Sequence, residues 1–320
     1  MRRQLFMLGW LAAWLAAMLT YDYYARVENP EMQSRMELHR MMVTGSAPYQ
    51  YRYRVLIPYA ADALAHVLQR TPVLANQPEA GHLGYSHRAF TVSFGIFNFA
   101  AIALMLWAIG VLMTRLLTHE LALFGVAASA VMMEFTFRNH TYQPWSFWEG
   151  AFFAVGLLLI QRRRYRAFSV LSVLALLNRE TSVFLLIAFL AIEWPNGPGL
   201  RFAIGNVAVW IAGFFALHRI VGYAPATFFI STAIEGNRNN LLLSIWLNAL
   251  LVGIALPLIW RGLQRAPQFY RRAALALPPY LALLLVIGYW WEIRYWITAL
   301  PIIVPLIACA LAPSDASPSR

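Results

Sequence analysis

Long apolar stretches separated by short polar ones dominate the chain. Runs at or near the length needed to cross a bilayer, about 20 residues, occupy 5–21, 89–114, 120–137, 147–161, 202–221, 241–260, 273–291 and 296–312. Residues 167–194 form a further apolar run, interrupted by Asn178-Arg179-Glu180-Thr181. It reads either as one tilted crossing or as a hairpin of two short helices. The start, MRRQLFMLGWLAAW, has the two arginines and apolar run of a secretory signal, but it holds two tryptophans and lacks a small-x-small cleavage site. The pattern therefore predicts a retained first span.

Charge chooses between the readings of 167–194. With Arg2 and Arg3 inside, four spans bring Arg162, Arg163, Arg164 and Arg166 inside as well. A hairpin then returns Arg261, Arg265, Arg271 and Arg272 to the same side and leaves the loop 222–240, with only Arg238, outside. A single crossing would put the four-arginine loop outside, against the positive-inside rule. The expected fold is an all-α polytopic membrane protein of about ten transmembrane helices, one pair a short hairpin, with both termini inside. It is a single transmembrane domain over 1–320, with an outer loop at 22–88 and a short polar tail at 313–320.

Two parts of that outer loop are amphipathic. In 30–43, Met32, Met36, Leu38 and Met42 recur among charged positions, and a second helix is expected from Pro58 to about Gln69. Both suit helices lying in the membrane interface. Between them, tyrosine and arginine alternate from Tyr49 to Arg54, which suggests an extended stretch at headgroup level, and 71–87 reads as a true loop.

Composition sharpens the class. Sixty per cent of residues are apolar and 12% charged, against about 25% charged in soluble domains. That excludes a water-soluble globule, a disordered chain and a disulfide scaffold, and the single cysteine, Cys309, excludes an intrachain disulfide or a cysteine-based metal site. All 25 basic residues are arginine, so lysine Schiff-base chemistry is absent. The net charge of +11 lies in short runs between apolar stretches, a pattern that orients a membrane protein rather than binding nucleic acid. The seven histidines show no HExxH or paired helical spacing, and there is no Walker loop and no GxSxG. Neither a histidine metal site, an ATP-driven pump nor a serine hydrolase is expected.

Ionisable groups at membrane depth are costly and mark candidate sites. On the predicted topology they gather outside, from five chain segments. Asp22, beside three tyrosines, is either a solvated helix-end carboxylate or a general base. Arg52 and Arg54 suit lipid headgroups or a clamp on a lipid-linked phosphate, Arg54 being favoured. Arg179 and Glu180 form an intrahelical pair or cap, or reach into a site from the hairpin tip. Glu134, Glu149 and the stretch from Arg138 through His140 line the same side, and Glu292 with Arg294 is either an internal ion pair or holds a phosphate.

Taken together, Asp22 at the end of the first span, YQYRYRVLIP, YQPWSFWEG, LLNRETSVFLL and EIRYWITALPIIVPL resemble the GT-C class of polytopic membrane glycosyltransferases, the mannosyl- and arabinosyltransferase-like enzymes. The resemblance covers most of the chain through short motifs. It implies a polyprenyl-phosphate sugar as donor, no cofactor, and an active site facing the periplasm of a bacterial inner membrane. It implies a glycan, lipid or protein acceptor, oriented or deprotonated by an acidic residue of the first outer loop, by position Asp22. The class often carries a second acidic residue close by; here the nearest are Glu28 and Glu31. In this reading Asp22 is the base, Arg54 and Arg294 hold the lipid phosphate, and Glu180 and Glu292 orient the acceptor or those arginines. No metal is assigned, although carboxylates alone can bind a magnesium-type ion. A transporter or flippase for a lipid-linked or anionic solute is the main alternative, followed by a scaffold and by a polysaccharide polymerase or ligase. Depth separates the first pair: transport needs the charged groups at the midplane, transfer at the outer edge.

Overall fold

The computed structural model describes the chain apart from residues 1, 26–28, 80–82, 138–143, 196, 223–226, 289–294 and 313–320. Among the described residues every regular element is helical. Segments Arg3–Asp22, His87–Arg115, Leu200–Val221 and Gln268–Val286 are long and apolar enough to cross a membrane, and Trp145–Gln161, Tyr165–Asn178 and Trp296–Leu311 are shorter apolar helices.

Helix α1 (Arg2–Ala25) shows why this is a membrane fold. Leu8, Ala12, Ala16 and Leu19 form a buried stripe at helical spacing, yet the opposite face carries exposed Phe6, Trp10, Trp14 and Met18. A helix apolar all round is stable only where apolar solvent meets its outer face. The inner stripe packs on α5 (His87–Leu116) and α6 (His119–Phe137), and these three join α7 (Pro144–Gln161) and α15 (Trp296–Leu311) around one continuous core. A Cβ on Gly110 of α5 would sit 3.0 Å from Leu8 and 2.9 Å from Val126, so α1, α5 and α6 meet there in close contact.

The interrupted run folds as the hairpin expected from charge. Helix α8 (Tyr165–Asn178) ends where Arg179 turns extended, a 3-10 turn covers Glu180–Ser182, and α9 (Val183–Glu193) returns. The two ends meet: Tyr165 Oη donates to Glu193 Oε1 at 3.0 Å. Helix α10 (Leu200–Val221) then runs parallel to α8, with Asn206 bonded to Ser172 and Gly213 against Leu176.

A set of basic side chains that includes Arg162, Arg265 and Arg272 gathers at the opposite end of the bundle from the hairpin tip. Burial, and then repulsion from Arg115 and Arg164, pushes Arg162 below arginine's ordinary value. Arg265, ending α12 (Leu241–Arg265), donates to the carbonyls of Ala310 and Ala312 at the end of α15. Arg272, in α13 (Gln268–Ala273), donates to Ile192 O at 2.8 Å. Cations at helix C-termini satisfy orphan carbonyls and oppose the helix dipole.

Two expectations are corrected, and the bounds of a third are adjusted. The stretch Tyr49–Arg54 is not extended: α3 (Tyr49–Arg52) is a helical turn begun by Pro48, whose carbonyl accepts from Tyr51 N and Arg52 N. A residue pattern of period two is outvoted here by the turn that proline starts. The predicted loop 222–240 contains α11 (Thr227–Asn239), anchored where Asn237 Nδ2 donates to Gly288 O at 2.8 Å. The predicted span 273–291 changes only in its bounds: the apolar helical segment long enough to cross runs Gln268–Val286, with a 3-10 turn at Ala274–Ala276 leading into α14 (Leu277–Ile287). The amphipathic helices of the first loop appear as α2 (Asn29–Val43) and α4 (Leu56–Gln69), covering the protruding start of α5 through Met36, Ala61, Ala65 and Phe90. The non-helical 71–79 and 83–86 are tied down by Gln69, which donates to the carbonyls of Leu74 and Gln77 and accepts from Ser86 N.

Candidate functional site

At the hairpin-tip end of the bundle the helices differ in length. At about 1.5 Å per residue, α8 rises about 21 Å and α9 about 17 Å from the basic end, against a hydrocarbon thickness of about 30 Å. Helix α5, with 30 residues, rises about 45 Å and stands above them. The hairpin tip therefore sits lower than the start of α5 and is the floor of this end of the bundle, onto which the first loop docks.

The floor holds a buried ion pair. Glu149, 4% exposed, lies in the second turn of α7 and accepts from Arg179 Nη1 at 2.6 Å and from Thr181 Oγ1. The Arg179 guanidinium also lies 5.7 Å from the Tyr295 ring centre, and Tyr280 Oη donates to Tyr295 O at 2.6 Å. Asn178 Nδ2 donates to Trp145 O at 2.9 Å, tying the end of α8 to the start of α7. The first loop docks on the same end, where Val55 N donates to Leu177 O at 3.0 Å. That bond delivers Arg54, 7% exposed, between two rings: its guanidinium carbon is 4.9 Å from the Tyr51 centroid and 5.4 Å from Trp145. Planar guanidinium stacks in this way, and an ammonium does not.

The structure thus joins three of the candidates expected from sequence, Arg54, Glu149 and Arg179, through Trp145 and Asn178. It separates others. Arg179 pairs with Glu149 and not with its neighbour Glu180, because consecutive residues do not face each other at a helix end; Glu180 is half-buried in the tip. Arg52 diverges from Arg54 and lies against Gly222 at the C-terminal end of α10, 3.3 Å from where a Cβ would stand. There a cation meets the negative end of the helix dipole, a structural role. Tyr53 follows it, donating to Gly222 O at 3.0 Å and stacking on His218 at 3.7 Å.

Asp22 belongs to the last turn of α1 rather than following it, and is half-buried. Leu8 marks the level of Gly110, and Met105 the level of Gly150. Along these axes Asp22 stands about 21 Å above Gly110, Glu134 about 12 Å and Glu149 about 9 Å, so Asp22 lies at the rim, higher than Glu149. Arg138, His140, Glu292 and Arg294 lie outside the described residues.

Thr181, Tyr280 and Tyr295 were not singled out from sequence; the interrupted NRET segment was the available signal for the first. No group of three or more His, Cys, Asp or Glu among the described residues is arranged to hold a metal ion. Compared with known proteins, the chain matches no family model, no curated protein and no solved structure at a significant level.

Proposed function

We propose that the chain is a GT-C-like glycosyltransferase of about ten membrane crossings. In this reading it transfers a sugar from a polyprenyl-phosphate donor to an envelope glycan, lipid or protein acceptor on the outer face of a bacterial inner membrane. The observation that supports it is a grouping of charges: Arg54 and the Glu149–Arg179 pair come from three distant segments to one end of the bundle, opposite the basic end. A site at one edge suits transfer better than transport, which needs access from both sides.

In this mechanism Asp22 accepts the proton of the acceptor hydroxyl at the rim. The acceptor oxygen attacks the anomeric carbon, the bond to the phosphate oxygen breaks, and the electron pair leaves with polyprenyl phosphate. Arg54, held flat by Tyr51 and Trp145, takes the developing phosphate charge. Glu149 fixes Arg179 beneath it.

The test is release of polyprenyl phosphate by the full chain in liposomes, across a panel of polyprenyl-phosphate sugars and acceptors. Asp22→Asn is expected to lower turnover by about 10²–10⁴ while the protein still inserts and folds. Full turnover in that variant removes Asp22 from the mechanism, and movement of intact lipid-linked sugar between leaflets without release favours a flippase.

A further inference from the structure

A groove of about 620 Å³ runs between α8 and α10 on the outside of the bundle, far from the floor. The two helices are parallel, and both begin at the basic end. Its wall on α8 is Ser169, Val170 and Val173, and on α10 it is Arg201, Phe202, Gly205, Asn206 and Val209. On α10, Arg201, Gly205 and Val209 repeat every fourth residue, so they form one stripe. On α8, Arg166 stands four residues before Val170 and begins the matching stripe.

Five observations say what fills it. Below Arg201 the polar side chains of the wall are already satisfied: Asn206 Nδ2 donates to Ser169 Oγ at 3.0 Å and to Phe202 O at 2.8 Å, and its Oδ1 accepts from Ser172 Oγ at 2.8 Å. The groove beyond its mouth therefore offers apolar surface. Gly205 has open space where a side chain would stand. Arg166 and Arg201 are both exposed, and neither makes a hydrogen bond or ion pair among the described residues. Glu193, the carboxylate that closes this end of the hairpin, is turned inward onto Tyr165 Oη and Gly199 N and leaves the two guanidiniums uncompensated. Both helices also point their N-terminal, positive ends at the same mouth.

We infer that the groove binds an anionic phospholipid from the leaflet at the basic end. Its phosphate sits between Arg166 and Arg201, and one acyl chain lies along Val170, Val173, Gly205 and Val209. This inference uses only the fold and stands apart from the transferase reading. Guanidinium suits phosphate oxygens, and a zwitterionic headgroup carries its own cation to compete with the pair.

Native mass spectrometry of the detergent-solubilised full chain, with phosphatidylglycerol and phosphatidylcholine of identical acyl chains, tests it. Phosphatidylglycerol is expected to be retained about tenfold better, from the two basic side chains together. Arg166→Gln with Arg201→Gln, at exposed positions that leave the core intact, is expected to bring that ratio close to one. Gly205→Leu is expected to reduce retention of both lipids by filling the groove. Equal retention of the two lipids by the native chain, an unchanged ratio in the double variant, or full retention in Gly205→Leu overturns the proposal. A crosslink between two copies through Val209→Cys, showing that this face is a protein interface, overturns it as well.

Discussion

Two buried carboxylates sit at opposite ends of the α8–α9 hairpin and are satisfied by different means. At the base, Glu193 accepts from a phenol, Tyr165 Oη at 3.0 Å, and from a backbone amide, Gly199 N at 2.8 Å. Among the described residues its side-chain partners are neutral and belong to the hairpin or the turn that follows. At the tip, Glu149 comes from another helix and is held by a cation, Arg179, which also faces Tyr295. Neutral local donors close a turn. A buried ion pair between helices costs desolvation that packing alone would not require, and here the cation lies at the same end of the bundle as Arg54. The contrast distinguishes a staple from a candidate site.

Breaking the tip should have the largest effect. Arg179→Met leaves Glu149 buried without its cation and should cost about 3–5 kcal/mol, read as a lowered unfolding midpoint, with transfer reduced to background. Arg54→Lys sharpens the comparison, since it keeps the charge but loses the planar stack on Tyr51 and Trp145. Turnover should fall by about 10²–10³ with the unfolding midpoint little changed; equal turnover in the lysine variant would show that Arg54 serves only packing. At the base, Glu193→Gln keeps an oxygen to accept from Gly199 N and turns the other oxygen into an NH2 donor, which the Tyr165 hydroxyl can accept from; it should cost about 1–2 kcal/mol with turnover retained. A loss of turnover there as large as at Arg179 would erase the distinction between the two ends.

The smallest effect concerns a third carboxylate, Asp62 in α4, outside both. Burial acts to raise its pKa, but hydrogen bonds from His39 and Tyr85 and the charges of His39 and His66 outweigh it and hold the carboxyl below its ordinary value. A carboxyl lowered on folding stabilises the fold above its unfolded value of about 3.9, and that stability is lost as pH falls through the lower, folded value. Thermal unfolding of the native chain should therefore weaken between about pH 5 and the folded value of Asp62, and Asp62→Asn should flatten that dependence. The same group, with burial and the hydrogen bond it accepts, holds the Tyr85 phenol well above its ordinary value.

The hydropathy pattern was sufficient for most of the architecture, because a helix in an apolar solvent is dictated by its own residues. The choice of a hairpin for 167–194 came from the placement of arginines alone, and the Tyr165–Glu193 contact agrees with it. Local context misled where a single proline or a tertiary anchor intervened, as at Pro48 before α3 and at Asn237 in α11. Among candidate site residues, Arg54, Glu149 and Arg179 were visible as charges in apolar surroundings, but their grouping was not. Sequence adjacency suggested Arg179 with Glu180 and Arg52 with Arg54, and the fold separates both couples.

By itself, then, the sequence determined that this is an all-helical chain with membrane-spanning segments, a basic end, and charged groups confined to a few positions. These follow from composition and periodicity, which are properties of neighbouring residues. The tertiary structure alone decided which charges meet, how deep they lie, and that α8 and α10 run side by side with their arginines at one mouth. Those outcomes depend on which helices become neighbours and where each one stops. Glu149 and Arg179 are 30 positions apart, and only the packing of α7 against the hairpin brings them within hydrogen-bonding distance.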